Sequence, residues 1–351
     1  MNLFKYALLR LFALILQIIG AIAVILSITS VISYDPSIFF AIGDTSGSSG
    51  GLGTTGRTPA EIAQFKKDIG LDKSLVQRFL DYISQLFLHG NLGNSWFGDK
   101  EPVLGLYLKA FLTTMRVFGL GILIFTILAI ILGVLAARRL NGTLDKNIRL
   151  STSFFYSFPP YVLGSLLIFV IQAFFLTNFQ TVVNETLSNQ FGLDPTNQPV
   201  KQILTSAITE FNHATVYVFL PVVIVILIYT GFQFRLVRIY ISDVLNQNYI
   251  RTAHAKGLGE RTILLKHGMR NALPEIITSI ATTFPVAFSG VVVLEKVFNI
   301  SGSGLLLINS GLTFNWPVLI GGAVIFTTLN AIILTVTDLL VNYIDPQLRL
   351  R

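Results

Sequence analysis

The chain has 351 residues, of which 52% are hydrophobic and only 12% charged, with a net charge of +7. Soluble domains carry about 25% charged residues, and one soluble core cannot hide this much apolar surface, so the lipid bilayer is the expected sink. The absence of Cys excludes disulfides, thiolate catalysis and Cys-ligated metals.

A membrane-crossing helix needs about 20 apolar residues to span roughly 30 Å of hydrocarbon. The first such run is Leu11–Ser33, preceded by Lys5 and Arg10. It is longer than the roughly 7–15-residue core of a signal peptide, and no small-residue cleavage site precedes Tyr34-Asp35. It is therefore expected to be a retained span.

Residues 34–116 are expected to form a segment outside the cell. Its Gly/Ser-rich stretch Gly43–Thr58 has the composition of a flexible linker. A helix start follows, with Thr58 as N-cap, Pro59 in the first turn and Glu61 closing a capping box. Gly70 ends that helix. A second helix places Leu75, Phe79, Ile83 and Leu86 on one face and stops near Gly90. Val103–Arg116 carries a stripe of Leu104, Leu108, Phe111, Leu112 and Met115, suited to the membrane surface or to packing within the protein.

Five further uncharged runs follow: Val117–Ala137, Leu150–Leu176, Ala214–Phe234, Ile276–Leu294 and Pro317–Thr337. Residues 117–342 thus make a membrane core and residues 343–351 a tail. The expected fold is all-α, with six transmembrane helices. Lys and Arg in short loops mark the cytoplasmic side. Arg138–Arg149 and Arg235–Arg270 are rich in them, whereas Thr177–His213 and Glu295–Trp316 hold one Lys each. Both termini are therefore placed inside. The eight basic residues of Tyr34–Arg116 are tolerated outside because long segments largely escape the charge rule. The basic balance reads as topology, and nucleic acid is not expected as a partner.

Pro159-Pro160, Pro221 and Pro285 interrupt spans and predict kinks. Ser157, Thr278, Thr282, Thr283, Ser289, Thr327 and Asn330 are candidates to line a passage, although polar residues in spans also hold helices together. Ile300–Leu312 is apolar, broken by Gly, and can dip into the membrane where protein covers it.

Arg235–Arg270 is long and helix-prone for a connector. Ile241–Lys256 predicts one helix, Gly257 and Gly259 interrupt it, and Arg261–Arg270 predicts a second helix leading into the fifth span. Such a knob has a tip of small residues, Ala253, Ala255 and Gly257, with Arg251 and Lys256 beside it to pair with acidic groups. The same pattern also suits a solvated basic loop that holds orientation.

YIRTAHAKGLGERTILLKHGMRNALPEIIT resembles the signature of binding-protein-dependent ABC permeases, in the oligopeptide/dipeptide/nickel subfamily. The family pattern, Glu-Ala-Ala, three residues, then Gly, falls on Arg251, Thr252, Ala253 and Gly257. Arg for Glu and Thr for the first Ala resemble the peptide-subfamily form. The pattern's later Pro falls on Arg270, with Pro274 nearby. TPAEIAQFKKDIGLDKSLVQRFLDYISQLFLHGNLGNS is similar to the outer segment of the B-type subunit, and LLVNYIDPQLRLR to the family's tail. The Gly43–Thr58 insert and the long Thr177–His213 loop depart from the shorter family form.

The resemblance implies a type I importer permease in which Tyr249, Arg251, Thr252, Ala253, Ala255, Lys256 and Gly257 form the coupling contact. The implied partners are a C-type permease, two ABC ATPase subunits and an extracytoplasmic substrate-binding protein, besides membrane lipid. ATP and Mg would sit on the ATPases, with no cofactor on this chain. Gly93–Lys100, the nearest approach to a phosphate-binding loop, has Asp99 where Lys is needed. The cargo implied is oligopeptide or dipeptide, with nickel or another small solute as alternatives. An ion-coupled secondary transporter is the rival class. It usually needs ionisable relays inside spans, whereas Glu275, Glu295 and Asp338 only flank or end them. None of the four His residues lies in a span or forms an HExxH pair, so no catalytic residue is expected.

Overall fold

A computed structural model describes residues 3–31, 37, 58–97, 99–171, 173 and 218–344. The Gly43–Thr58 linker up to Arg57, the Thr177–His213 loop and the tail from Asp345 lie outside them.

The described elements are helical: α1 (Leu3–Val31), α2 (Pro59–Asp68), α3 (Leu75–His89), α4 (Val103–Ala137), α5 (Thr143–Tyr156), α6 (Pro160–Val170), α7 (Leu220–Leu245), α8 (Asn248–Ala255), α9 (Arg270–Val297), α10 (Ser303–Leu312) and α11 (Trp316–Ile344). A turn of helix at Glu260–Thr262 and a π-helix at Ile263–Met269 lead into α9. Five helices are long and apolar enough to cross a membrane, and six if α5 and α6 count as one broken span. Large apolar side chains point outward along them, Leu8, Phe12, Leu16, Leu120 and Ile131 among them, as lipid-facing helices require.

The kink expected at Pro159-Pro160 in the third span is present, as a sharp break. The chain bends by 88° between α5 and α6. Pro159 and Pro160 explain the break, because each lacks the amide that would continue the ladder. Pro221 falls at the start of a described helix. It lies in the first turn of α7, directly after the π-helical residues Val218 and Phe219, and the start of the expected span at Ala214 lies outside the described residues. Pro285 sits inside α9 and leaves it one helix. The amphipathic stretch Val103–Arg116 proves to be the first turns of α4, whose 35 residues extend roughly 50 Å at 1.5 Å per residue. Leu104, Leu108 and Leu112 stay exposed, whereas Val103 and Tyr107 are buried.

By its contacts the chain falls into two compact units. They cut it differently from the boundaries read from hydropathy. The first comprises residues 1–112 and 305–351. There α1 lies against α11, and Ile18, Ile22, Val103, Tyr107, Trp316 and Ile320 form the core. Leu75, Phe79, Ile83 and Leu86 pack onto it, the face of α3 that helical spacing predicts. The capping box of α2 is present: the Glu61 amide donates to Thr58 Oγ1 at 3.3 Å and the Thr58 amide to Glu61 Oε2 at 2.7 Å. Gly70 and Gly90 both take positive φ where the helices stop. Arg10 pairs with Asp338 across α1 and α11.

The second unit, residues 113–304, is built around α7, which packs on α5, α6 and α9. Glycines let its neighbours approach closely. A Cβ on Gly133 would meet Val237, and one on Gly231 would lie 2.5 Å from the Thr152 carbonyl oxygen. Gly231→Ala therefore forces α5 and α7 apart, and the expected cost of about 1–3 kcal/mol outweighs the roughly 1 kcal/mol gained in helix propensity. Gly20, on α1, has nothing within 4 Å, so Gly20→Ala should stabilise. Thermal unfolding of the two purified variants should move in opposite directions.

Candidate functional site

The basic loop between α7 and α9 carries the candidate site. α7 runs past the expected end of the fourth span to Leu245, and the chain breaks at Asn246 and Gln247. The single helix expected over Ile241–Lys256 is thus two. The break has a physical return. Gln247 adopts an extended conformation, and the reversal turns Ile250 and Ala253 inward against Ile263, with Leu245 alongside. Asn is a poor helix former, so the break costs little there.

α8 then closes by a Schellman motif. The Gly257 amide donates to the His254 carbonyl at 2.9 Å, and the Leu258 amide to the Ala253 carbonyl at 3.3 Å. Gly257 has φ of +73°, the left-handed region, and a Cβ there would find open space. The glycine is required by backbone conformation and not by crowding within the chain. Gly259 starts the return turn, its carbonyl accepting from the Thr262 and Ile263 amides.

Arg251, Thr252, Ala255, Lys256, Gly257 and Gly259 are all exposed on this knob. Tyr249 is half exposed, and its hydroxyl accepts from Asn271 Nδ2 at 3.2 Å, which ties α8 to the start of α9. Ala253 differs from its expected place at the tip: it is 6% exposed and belongs to the small core under the knob. Gly268 lies in the π-helix, where a Cβ would come within 3.1 Å of Leu245 Cδ2. The knob is therefore clamped at both ends and presents a basic outer face.

Beneath it lies an ion pair that sequence reading passed over. Arg238 on α7 holds Asp145 on α5 through two bonds, Nε to Oδ1 and Nη2 to Oδ2, each 2.6 Å. Asp145 is fully buried and also accepts from the Asn141 amide at 2.8 Å. Arg238 had counted only toward orientation. The available signal was one Asp in an otherwise basic loop, facing a helix with an Arg three residues beyond Arg235.

Residues 129–350 match the family described as binding-protein-dependent transport system inner membrane component. The chain belongs to that family. Curated relatives agree. A putative peptide permease protein of Brucella suis is 29% identical over 294 residues, 83% of this chain and 85% of that protein. The dipeptide transport system permease protein DppB of Escherichia coli K12 is 28% identical over 302 residues, 85% and 88% of the two chains. A probable peptide ABC transporter permease protein of Sinorhizobium fredii is 31% identical over 294 residues, 83% and 86%.

This inner membrane component is thus a multi-pass cell-membrane transport protein. Its polar span residues divide by environment. Thr278, Thr282 and Ser289 lie on an exposed face of α9, with Glu275 on the same side. Thr283 is 1% exposed and donates to Gln233 Oε1 at 2.7 Å, while Gln233 Nε2 donates to Ser279 Oγ at 2.8 Å. It joins α9 to α7 inside the permease unit. Ser157 is exposed at the bend after α5 and donates to the Ser153 carbonyl at 2.8 Å. Thr327 and Asn330 belong to the other unit, on α11, both half-buried; Asn330 Oδ1 is buried without a donor among the described residues.

Glu295 also needs correction. Read as an acid flanking the fifth span, it lies within α9 and is fully buried. Thr114 Oγ1 donates to its Oε1 at 2.5 Å and the Gly304 amide to its Oε2 at 2.7 Å. The Ser303 amide donates in turn to Thr114 Oγ1 at 2.9 Å. A side chain on Gly302 would collide with this carboxylate, so the glycine lets the backbone close over it.

Proposed function

We propose that this chain is the B-type half of the membrane channel of an ATP-driven importer of oligopeptides or dipeptides. A C-type permease completes the channel, an extracytoplasmic binding protein delivers cargo, and two ATPases bearing ATP and Mg dock from the cytoplasm. The observation that carries this reading is the knob at Asn248–Gly259: a small buried core, a left-handed glycine at its tip, and exposed Arg251 and Lys256 offered to an acidic surface. Clamped by Tyr249–Asn271 at one end and Gly268 at the other, the knob moves with α7 and α9 as a rigid lever. The exposed polar face of α9 supports a half-channel awaiting a mate. The peptide names of the relatives support the cargo class. This chain is itself non-catalytic in this scheme.

Reconstitution in liposomes tests it. The chain alone should not accumulate peptide with ATP or with an imposed proton or sodium gradient. Adding the permease mate, both ATPases and the binding protein should give uptake that disappears without ATP. Uphill uptake by the single chain under an ion gradient would refute the scheme and establish a secondary transporter.

A further inference from the structure

The first unit contains a cleft of about 460 Å³, within the usual size range of small-ligand sites. One wall is α3, which contributes Arg78, Asp81, Tyr82 and Gln85 at helical spacing. Facing them are Lys67 and Lys73 around the end of α2, the Asn91–Trp96 strand of chain with Lys100, and Trp316 and Ile320 of α11.

The charges do not balance within the cleft. Lys67, Lys73, Arg78 and Lys100 line it against Asp68 and Asp81 alone. Both acids are engaged: Lys73 Nζ donates to Asp81 at 2.7 Å, and Gln64 Nε2 to Asp68 at 2.7 Å. The Asp81 carboxylate raises the Lys73 pKa, which keeps that ammonium charged. Arg78 is half-buried, and its Nε is buried with no acceptor among the described residues. A half-buried guanidinium without an acceptor for its Nε, on the wall of a cleft, is suited to pairing with an entering carboxylate through its other nitrogens.

The walls are already fixed. Tyr82 donates to the Leu92 carbonyl at 3.3 Å, and burial pushes its phenol pKa up, so it stays a neutral donor. Asn315 donates to Ser95 Oγ at 2.8 Å and accepts from the Trp96 amide at 3.2 Å. A site held this way loses little entropy on binding.

We propose that this cleft binds the terminal carboxylate of a small peptide, with Arg78 as its anion partner and Trp96 and Trp316 as the apolar walls for the adjoining side chain. The proposal rests on the peptide-importer reading and adds a site in the first unit.

The chain has two Trp residues, and both line this cleft, so intrinsic fluorescence reports on it directly. The full chain in lipid nanodiscs is titrated with the dipeptide Ala-Phe and with its C-terminal amide. The free acid should give a saturable change, with the amide at least about tenfold weaker, since one charge-assisted bond carries that factor. Arg78→Gln should lose the preference for the acid, and Arg78→Lys should retain part of it. Size-exclusion elution and helical content confirm that each variant folds. Equal responses to acid and amide, or an unchanged preference in Arg78→Gln, would overturn the site. So would a response surviving unchanged in both Trp96→Phe and Trp316→Phe. Silence toward both peptides, with ATP-driven uptake intact in the assembled importer, sinks this inference and leaves the importer reading standing. Loss of uptake in the assembly with a positive titration does the reverse.

Discussion

Arg238→Ala should be among the most damaging single changes in the chain, lowering stability by about 3–5 kcal/mol. The loss is not the pair's net worth, since desolvation offsets much of any buried ion pair. It is the cost of abandoning a carboxylate: Asp145 has no exposure and would keep the Asn141 amide as a hydrogen-bond donor and Arg149 as a nearby positive charge, but no direct ion-pair bond. Removing the acid as well should recover part of the loss. The Asp145→Ala, Arg238→Ala double variant is expected to unfold at a higher temperature than Arg238→Ala alone. A double variant no better than the single would show that Arg238 acts through its packing instead. Because α7 leads into the knob and this pair holds it to α5, the single variant should also lose ATP-driven uptake at temperatures where the protein is still present in the membrane.

Gly257→Val should abolish most coupling while leaving the protein inserted. A β-branched residue forced to φ near +73° stores about 1–3 kcal/mol, enough to unwind the Schellman turn and redirect Arg251 and Lys256. ATP-driven uptake is expected to fall roughly tenfold or more, with membrane levels unchanged. Asn tolerates the left-handed region and no atom crowds the site, so Gly257→Asn should keep most of the uptake. If Asn is as damaging as Val while the knob stays folded, the glycine is needed for close approach by another chain and not for its own φ.

Different parts of this fold were legible to different degrees. Apolar length reveals spans well, because hydrocarbon thickness is a hard constraint; α1, α4, α7, α9 and α11 all fall where uncharged runs place them. The capping box at Thr58 and the stop at Gly90 were readable from local chemistry alone. The knob's glycine was readable for the same reason. What escaped depended on tertiary partners. Nothing near Asn246 announces that Ile250 and Ala253 will turn inward, since their partner Ile263 lies beyond the turn. Hydropathy counts charges but cannot pair them, so Asp145 and Glu295 were assigned to loops and edges when they are buried, and the part-buried Arg238 was not matched to its acid. Thr283 and Thr282 are neighbours of one type in one helix, yet one is interior and the other exposed. Only the direction of α7 decides which is which.

The hydroxyls on the exposed face of α9 have one further consequence, for biogenesis. Thr278 donates to the Pro274 carbonyl at 2.9 Å, Thr282 to the Ser279 carbonyl at 3.0 Å and Ser289 to the Val286 carbonyl at 2.7 Å. Each is satisfied by its own helix before any mate arrives. A hydroxyl with no acceptor in lipid would cost several kcal/mol, whereas one folded back on the backbone costs far less. On the proposed half-channel reading, this face of α9 therefore exposes no unsatisfied hydroxyl while the chain is alone in the bilayer, and the chain can wait there for a partner.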